Sequence, residues 1–322
     1  MERWQELVRQ AVAQGTTLMV QGHGSKAEFL GADAGTELLS TGEHAGVVRY
    51  QPEELVVTVR SGTSLNELEQ VLGERDQMLA FEPPRFGGRG TVGGCVAAGA
   101  SGPARPWWGA VRDAVLGVRL INGLGEDLRF GGEVMKNVAG FDVSRLQCGA
   151  FGTLGVLTEV SLRVAPRPMV DQTFCRPAEL GEAIEQMRAW ARQPLPLAGL
   201  AWVGGQLFWR LAGHPAAVDA LAAEGQAADP DIWQQLHTLN HPALTEQPVR
   251  RQDVAPASAP APGTVAVSWG GALRWITAAS SDQGTLIGTR PQTPAALDAL
   301  TQRVQRAFDP HGVFNRAARY ED

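Results

Sequence analysis

The strongest constraint on this chain is a pair of glycine-bounded segments near its middle, residues 131–146 and 152–159. The first begins with Gly131-Gly132 and includes Gly140-Phe-Asp142, where we expect the aromatic ring to be buried. The second begins with Gly152-Thr-Leu-Gly155 and runs into an apolar stretch. Glycine permits tight turns and close approach to the backbone, so several amide groups can face one ligand. The pattern predicts a site for a large, flat, phosphate-bearing cofactor.

The bulk composition is that of a soluble globular protein with room for two domains. The chain has 322 residues, of which 44% are hydrophobic and 19% charged, and its net charge is −6. A chain of this length can bury a sizeable core in each of two domains. The acidic balance argues against a general nucleic-acid binder, because there is no surplus of basic residues to neutralise phosphates.

The three cysteines, Cys95, Cys148 and Cys175, are scattered and form no C-x-x-C pair. We therefore expect no iron–sulfur cluster and no zinc site on this chain. A sparse, odd number of cysteines suits a reducing cytoplasm better than a disulfide scaffold. The first ten residues are typical of an amphipathic helix rather than a secretory signal. No apolar run is long enough to cross a bilayer, so we expect a cytoplasmic protein for which any association with the inner membrane would have to come through partners.

The first half of the chain has the pattern of short strands, turns and occasional helices. Strands are predicted at residues 18–21, 47–50, 55–60, 115–121, 127–130 and 155–164, and a helix at residues 64–72. The Pro166-Arg-Pro168 sequence stops the last of these strands. It predicts a boundary between a first domain, residues 1–168, and a second domain, residues 169–322.

The second half contains a weak internal repeat. Residues 200–210 and 265–275 each read as an apolar strand, a Gly-Gly turn and a tryptophan-containing strand, and helical segments precede both. Two such units in series predict a ferredoxin-like antiparallel sheet backed by helices, within an α+β fold. The Ala/Pro-rich stretch at residues 253–263 is predicted to be a loop. The four tryptophans of this half suit either its core or an interface, and we expect the core for Trp202, Trp209, Trp269 and Trp275.

A first candidate for chemistry is the loop that follows the first predicted strand. Its residues are Gln21, Gly22, His23, Gly24, Ser25 and Lys26. Two glycines after a strand allow several amide groups to converge on one anion, and Lys26 adds a positive charge. The pattern matches neither a P-loop nor a dinucleotide-binding fingerprint, and an ordinary tight turn is the alternative.

A second candidate is the glycine-rich stretch at residues 82–102. It contains a G-x-G-x-x-G match at residues 88–93, but Pro83-Pro84 and Arg85 precede the match where a dinucleotide fold needs a buried strand. A better interpretation is a backbone cradle in which Thr91 and the amides of Gly93 and Gly94 surround phosphate. Low-complexity sequence is the alternative. The Trp107-Trp108 pair downstream suits either a core or a cofactor wall.

Taken in order, these motifs resemble a known family. The segments Gly22-His-Gly-Ser25, Thr91-Val-Gly-Gly94, Gly140-Phe-Asp142 and Gly152-Thr-Leu-Gly-Val156 resemble the FAD-binding domain of the p-cresol methylhydroxylase / vanillyl-alcohol oxidase flavoproteins. The segments Glu82-Pro-Pro84, Ala97–Pro103, Arg112–Gly117, Phe130–Gly140 and Phe308–Asn315 are similar, more narrowly, to the small FAD-binding subunit of bacterial glycolate oxidase. The resemblance spans nearly the whole chain and is most specific over residues 80–165.

The resemblance implies two α+β subdomains that clasp FAD, with an α+β cap domain beside them. Some relatives attach flavin covalently to a histidine in the first loop, where His23 lies in this chain. Covalent attachment is therefore the alternative to the noncovalent binding that we expect. It also implies a multi-subunit enzyme that oxidises a small 2-hydroxy acid, glycolate, to glyoxylate. The implied partners are a larger FAD-binding subunit and an iron–sulfur subunit that takes the electrons.

Carried over to this chain, the resemblance implies three groups of cofactor contacts. Pyrophosphate contacts are expected from Gln21, Gly22, His23, Gly24, Ser25, Lys26, Thr91, Val92, Gly93 and Gly94, with Pro84 as a further cofactor contact. The adenosine or ribityl side is expected to meet Ser101, Gly102, Gly109, Arg112 and Asp113. The flavin ring or ribityl chain is expected to meet Lys136, Asn137, Gly140, Phe141, Asp142, Gly155 and Val156, largely through the backbone.

Catalytic residues are not assigned by the sequence. The histidines of the second half, His214, His237, His241 and His311, form no H-x-H pair like the metal motif of self-sufficient 2-hydroxy-acid dehydrogenases, and we expect structural or exposed positions for them. Arg250-Arg251 is expected to be a surface pair. Three interpretations therefore stay open: an FAD-binding glycolate oxidase subunit, a self-sufficient FAD-dependent dehydrogenase, and a scaffold subunit without catalysis of its own.

Overall fold

The computed structural model describes residues 1–26, 36–132, 141–222, 224–280, 285–286 and 295–315. The helices lie mostly where apolar residues recur at helical spacing, as in residues 65–72, where Leu65, Leu68 and Leu72 are buried. In chain order the α-helices are α1 (Glu2–Gln14), α2 (Leu65–Gly73), α3 (Val92–Ala98), α4 (Arg105–Trp108), α5 (Val111–Ala114), α6 (Val143–Leu146), α7 (Leu180–Ala191), α8 (Pro215–Ala222), α9 (Asp231–His237), α10 (Pro242–Thr245) and α11 (Ala295–Phe308).

Most strands coincide with the predicted apolar and β-branched runs. In chain order they are β1 (Thr17–Gln21), β2 (Thr36–Ser40), β3 (Val47–Gln51), β4 (Val56–Arg60), β5 (Gln77–Met78), β6 (Val115–Ile121), β7 (Asp127–Gly131), β8 (Val156–Arg163), β9 (Ala165–Pro166), β10 (Val170–Pro177), β11 (Leu197–Val203), β12 (Gln206–Gly213), β13 (Gln226–Ala227), β14 (Val249–Asp253), β15 (Thr264–Ser268), β16 (Leu273–Thr277) and β17 (Thr285–Leu286). The predicted α+β fold is confirmed.

The chain forms two compact units, and neither is a continuous stretch of sequence. The first unit comprises residues 1–100, 110–166 and 292–322, and the second comprises residues 101–109 and 167–291. The division expected from sequence, at residue 168, differs in two respects. Residues 101–109 pack with the second unit, and the C-terminal segment returns to the first. Neither long-range return leaves a local signal in the sequence.

The first unit is built on a five-stranded antiparallel sheet in the order β3-β4-β8-β6-β7. Apolar side chains from one face, among them Val57, Val118 and Val160, pack against α2 and α3 to form the main core. A separate parallel pair, β1 and β2, is extended by a bridge between Leu18 and Phe314. This small layer has its own core with α1, in which Val8, Leu18 and Phe314 are fully buried.

The second unit contains an eight-stranded sheet in the order β13-β10-β12-β11-β15-β16-β14-β17. The two predicted strand pairs, β11 with β12 and β15 with β16, lie side by side at its centre. One core contains Trp190 and Trp209, and another contains Trp233, Trp269 and Trp275. The expectation that the tryptophans of this half are core residues is confirmed, with Trp202 packed against the first of these cores.

The Ala/Pro-rich loop between β14 and β15 is held by one buried cation. Arg274 is 1% exposed, and its guanidinium donates to the carbonyl oxygens of Ser258, Ala259 and Gly271 at 2.6, 2.6 and 3.2 Å. Burial lowers the pKa of this guanidinium. The loop therefore has a fixed path although proline excludes it from a regular strand.

Candidate cofactor site

The first unit contains a cleft whose empty space is about 670 Å³ when the open solvent at its mouth is included. Five segments meet in it: the end of β1 with the loop after it, the residue after β2, the turn after β4, α3 with the residue before it, and the turn into β8 with the first residues of that strand. Its lining residues are Val20, Gln21, Gly22, His23, Gly24, Ser25, Lys26, Thr41, Ser61, Thr91, Gly93, Gly94, Ala97, Ala98, Phe151, Gly152, Gly155 and Leu157.

Two of the glycines are required by the close packing of the cleft walls. A Cβ atom on Gly22 would overlap the Thr91 hydroxyl, so only glycine lets the first loop lie against the start of α3. Gly155 has a φ of +143°, which other residues rarely adopt, and a Cβ there would lie 2.6 Å from the Ile121 carbonyl oxygen. The glycine pattern of the sequence thus serves to bring backbone segments together around the cleft.

Lys26 supplies the cleft with a half-buried cation. Its ammonium group donates to the Ser25 hydroxyl at 3.3 Å and lies 5.5 Å from the centre of the Phe86 ring. Burial lowers the pKa of Lys26, and the nearby Cys95 thiol acts in the opposite direction. No acidic side chain among the described residues forms an ion pair with it. A cation that is withdrawn from water without a carboxylate favours an anionic ligand.

Ser61 presents a further polar group to the cleft, a hydroxyl without a hydrogen-bond partner among the described residues. Its side-chain oxygen is buried and has no hydrogen-bond partner within the described part of the chain. The backbone of the same residue is fixed on both sides: its amide donates to the Thr158 carbonyl, and its carbonyl accepts from Gly93. A buried hydroxyl that is held in place but left unsatisfied is typical of a site that a ligand completes.

The amides at the start of α3 do not match the predicted phosphate cradle. Gly93 donates its amide to the Ser61 carbonyl at 2.8 Å, and Gly94 donates to the Thr91 side-chain oxygen at 3.0 Å. The Val92 amide is likewise bonded, to the Thr63 carbonyl. These groups are therefore occupied by the protein, although Thr91, Gly93 and Gly94 line the cleft. They hold its wall in place instead of facing a ligand.

Several other predicted contacts have structural positions. The side chains of Val92 and Val156 are buried in two hydrophobic cores, and Pro84 is buried as well. Arg112 is exposed, and the Asp113 carboxylate accepts the Ala110 amide at 2.8 Å at the start of a short helix. None of these five residues lines the cleft.

Phe141 and Asp142 also differ from expectation. The Phe141 ring is 96% exposed, so the expectation of a buried aromatic is wrong. The Asp142 carboxylate caps α6 by accepting the Arg145 amide at 3.1 Å. Lys136, Asn137 and Gly140 lie outside the described residues, as does half of the glycine segment at residues 131–146.

Ser101, Gly102 and Gly109 belong to the second unit. The Trp269 indole donates to the Gly102 carbonyl at 2.9 Å, and the Arg105 guanidinium lies 4.5 Å from the centre of the same ring. These contacts explain why residues 101–109 group with the second unit. The sequence alone placed them in the first because the glycine-rich stretch is continuous.

Sequence reasoning missed the contribution of Thr41, Ser61, Ala97, Ala98 and Phe151 to the cleft, whereas the glycine segment that begins at Gly152 was expected there. Small or hydroxyl-bearing residues of this kind carry no motif of their own. The one available signal is Ser61-Gly62, which directly follows a strongly apolar strand, since binding residues often lie where a strand ends. A Cβ on Gly62 would overlap the carbonyl oxygen of Thr41, which shows how tightly this turn is packed.

Of the histidines of the second unit, His237 and His241 have structural contacts, and His214 is exposed. His237 is buried, lies 3.3 Å from the Ser268 hydroxyl, and has a pKa lowered by burial to about 3. His241 accepts the Ala243 amide at the start of α10. Within the described ranges, no three histidine, cysteine or acidic side chains are grouped as metal ligands. Arg251 pairs with Asp253 at 3.0 Å.

Comparison with known proteins decides the family. A family model described as "FAD binding domain" matches residues 1–131. The glycolate oxidase subunit GlcE of Escherichia coli (strain K12) is 41% identical, and the match covers 98% of this chain and 96% of that protein. The chain belongs to the GlcE family of FAD-binding proteins. FAD is its cofactor.

More distant relatives share only part of the chain. A D-lactate dehydrogenase of Anaerostipes hadrus is 35% identical over 38% of this chain and 25% of its own length. The solved structure of an alkyldihydroxyacetonephosphate synthase has a TM-score of 0.67 and 14% identity, and the match covers 97% of this chain and 74% of that one. The second match shows the fold alone. None of the helices in the described part is long and apolar enough to span a membrane.

The residues of the cleft fit FAD. A diphosphate-bearing cofactor brings two negative charges and several hydrogen-bond acceptors, which suit the Lys26 ammonium and the Ser61 hydroxyl. The glycine walls let backbone segments approach a flat ligand closely. The GlcE-family chain thus has a site of suitable charge and backbone geometry within the residues matched by the FAD-binding model and the turn that precedes β8.

Proposed function

We propose that the cleft of the first unit holds the pyrophosphate region of FAD, with Lys26 as its cationic contact and Ser61 as a neutral donor. The observation that carries this proposal is the pairing of a half-buried cation with a buried, unsatisfied hydroxyl in one glycine-walled cleft. Gln21, Gly22, His23, Gly24 and Ser25 would surround the same group. Gly155 would lie on the opposite wall.

This chain acts as the FAD-binding subunit of a glycolate oxidase, an enzyme that oxidises a small 2-hydroxy acid to the corresponding 2-oxo acid. The support is its similarity to GlcE over nearly the full length of both proteins. FAD, when bound, supplies the two-electron acceptor for such an oxidation. The residues of this chain bind and orient the cofactor, and the proposal assigns no proton transfer to any of them.

The proposal includes two partners: a larger FAD-binding subunit and an iron–sulfur subunit that receives the electrons. A second glycolate oxidase subunit, GlcD of Bacillus subtilis (strain 168), is 30% identical over 40% of this chain, which supports a common origin of the two flavin subunits. We place the assembly in the cytoplasm, with any membrane contact made through the partners.

The test begins with the full chain purified alone and freed of flavin. FAD is titrated in while protein fluorescence and visible absorbance are recorded, and glycolate is then added without and with the partner subunits. We expect stoichiometric, noncovalent FAD binding and loss of flavin absorbance with glycolate only when the partners are present. A chain that binds no FAD would contradict the proposed site.

Bleaching by glycolate with the isolated chain would instead favour a self-sufficient dehydrogenase. A complex that keeps full activity when this chain lacks FAD would favour a scaffold role. Lys26→Arg serves as the matched control because it keeps the positive charge. It is used in the FAD titration and in the glycolate additions without and with the partner subunits.

A further inference from the structure

The C-terminal segment of the described chain crosses the first unit beside the cleft. After α11, residues 309–315 run along β1, where the Leu18 amide donates to the Val313 carbonyl at 2.8 Å and the Asn315 amide donates to the Leu18 carbonyl at 2.9 Å. Asp309, which is 1% exposed, accepts the amides of Val313 and Phe314 at 2.9 Å each. This segment is therefore well fixed before it reaches Asn315.

Asn315 connects two walls of the cleft through its side-chain amide. Its oxygen accepts the Val20 amide at 2.7 Å, and its nitrogen donates to the Phe151 carbonyl at 2.5 Å. Val20 and Phe151 both line the cleft, near the end of β1 and on the turn before β8. Asn315 itself is 4% exposed and does not line it.

The two residues held in this way are places where the walls need support. Val20 immediately precedes the loop that carries Lys26, so its position sets where that loop begins. Phe151 has a φ of +50°, a strained value for a residue with a side chain, and it is followed by Gly152. A Cβ on Gly152 would lie 2.6 Å from the side-chain amide nitrogen of Asn315, so Gly152 and Asn315 are closely packed.

We propose that Asn315 is a positioning residue for FAD, which fixes the spacing between the Lys26 loop and the turn before β8. The inference rests on the proposed cofactor site. A ligand that contacts both walls is bound more tightly when their spacing is fixed in advance, because binding then costs less conformational entropy. The cofactor affinity of the first unit thus depends on residues that follow the second unit in the sequence.

The test compares two full-length variants that lose the same kind of contact. Asn315→Gly removes both side-chain hydrogen bonds and tolerates the φ of 39° at this position without added strain. Gln77→Ala is the matched control: Gln77 is buried in the same unit, accepts from the Tyr50 hydroxyl at 2.8 Å and donates to the Pro52 carbonyl at 2.9 Å, and does not line the cleft. Each flavin-free protein is titrated with FAD, and its thermal midpoint is measured separately.

We expect the dissociation constant of FAD to rise about tenfold in Asn315→Gly, equivalent to about 1.4 kcal/mol. The control should lose thermal stability to a similar degree and keep its FAD affinity within about twofold. Equal loss of affinity in both variants, or unchanged affinity in Asn315→Gly, would overturn the inference while leaving the cofactor site intact. A wild-type chain that binds no FAD would remove the site and the inference together.

If Asn315→Gly does not fold, Asn315→Asp provides the same comparison. It retains the oxygen that accepts from Val20 and loses the donor to the Phe151 carbonyl. Weaker FAD binding than in the wild type is again expected at neutral pH, and unchanged affinity would contradict the role.

Discussion

The two units treat a cation withdrawn from water in opposite ways. In the second unit, Arg274 donates to three carbonyl oxygens and holds the loop between β14 and β15. In the first unit, Lys26 contacts the Ser25 hydroxyl and the face of Phe86, and no carboxylate of the described chain pairs with it. Burial lowers the pKa of both side chains.

This difference separates a structural cation from a binding cation. Arg274 is satisfied by the protein itself, so its contribution is complete in the free chain. Lys26 keeps donor capacity and an uncompensated charge facing a cleft, which an anion can satisfy. The role of each buried cation therefore follows from the number of protein acceptors bonded to it. Arg274 has three carbonyl acceptors, whereas Lys26 has one hydroxyl acceptor.

Removing the structural cation should have the largest effect on stability. Arg274→Met leaves the carbonyls of Ser258, Ala259 and Gly271 without their donor, and we expect the free energy of unfolding to fall by about 3 kcal/mol. Urea unfolding of the flavin-free chain measures the loss. The FAD affinity of the folded variant should stay unchanged, and a large fall in that affinity would break the contrast between the two cations.

Removing the Lys26 charge should instead lower FAD affinity and leave the stability of the flavin-free chain unchanged. Lys26→Met should weaken FAD binding about 10- to 100-fold, since a hydrogen bond to a charged group contributes ~1.5–3 kcal/mol, without lowering the stability of the flavin-free chain. In the wild type, affinity should also fall as the pH rises through the lowered pKa of Lys26, because only the charged form attracts the pyrophosphate. This pH dependence should be absent in Lys26→Met, as titrations at several pH values would show.

The buried histidine of the second unit predicts a smaller effect that depends on pH. The pKa of His237 is lowered to about 3, so between that value and 6.5 the unfolded chain binds a proton that the folded chain does not. Stability should therefore be complete above pH 6.5 and fall by up to about 1.4 kcal/mol per pH unit below it. Urea midpoints at pH 7 and 5.5, followed by tryptophan fluorescence, measure the slope.

Two variants identify the source of that slope. His237→Gln should reduce it, whereas His214→Gln, at an exposed histidine of the same unit, should retain it. An unchanged slope in His237→Gln would show that another group titrates.

The smallest expected effect concerns the unsatisfied hydroxyl. Ser61→Ala removes a buried polar atom that has no partner in the described chain, so the flavin-free protein should be as stable as the wild type or slightly more so. FAD affinity should fall about five- to tenfold, equivalent to about 1 kcal/mol. Thr158→Val, which removes a hydroxyl already bonded to the Arg119 carbonyl, should instead lower stability and spare affinity. If Ser61→Ala binds FAD normally, its hydroxyl is not a contact.

Local features of this molecule could be predicted from the sequence, and long-range ones could not. The loop at residues 21–26 lines the cleft. Its turn could be predicted because Gly22 and Gly24 directly follow a strand, and glycine permits the positive φ that Gly24 adopts. Val156 was assigned to the cofactor but lies in a core, since the glycine before it signals a turn without revealing which way the next side chain points. The Ser61-Gly62 pair after an apolar strand is only a weak signal, and it is the fold that brings Ser61 into the same cleft as Lys26.

The same limit applies to the organisation of the chain. A proline pair marks residue 168 locally, but nothing local shows that residues 101–109 pack with the second unit or that Phe314 bridges to Leu18. These pairings depend on apolar burial and hydrogen bonds between segments hundreds of residues apart. No local sequence motif indicates which of these distant segments will pair.

The bridge between Leu18 and Phe314 has a consequence for biosynthesis. Because β1 is translated early and its neighbour at residues 313–315 late, the first unit cannot finish folding until nearly all of this sequence has left the ribosome. At ~5–20 residues per second, the intervening second unit takes on the order of ten seconds to appear. During that interval the apolar side of β1, including Leu18, lacks Phe314 as its cover, so an apolar surface stays exposed on the nascent chain before the cofactor cleft is complete.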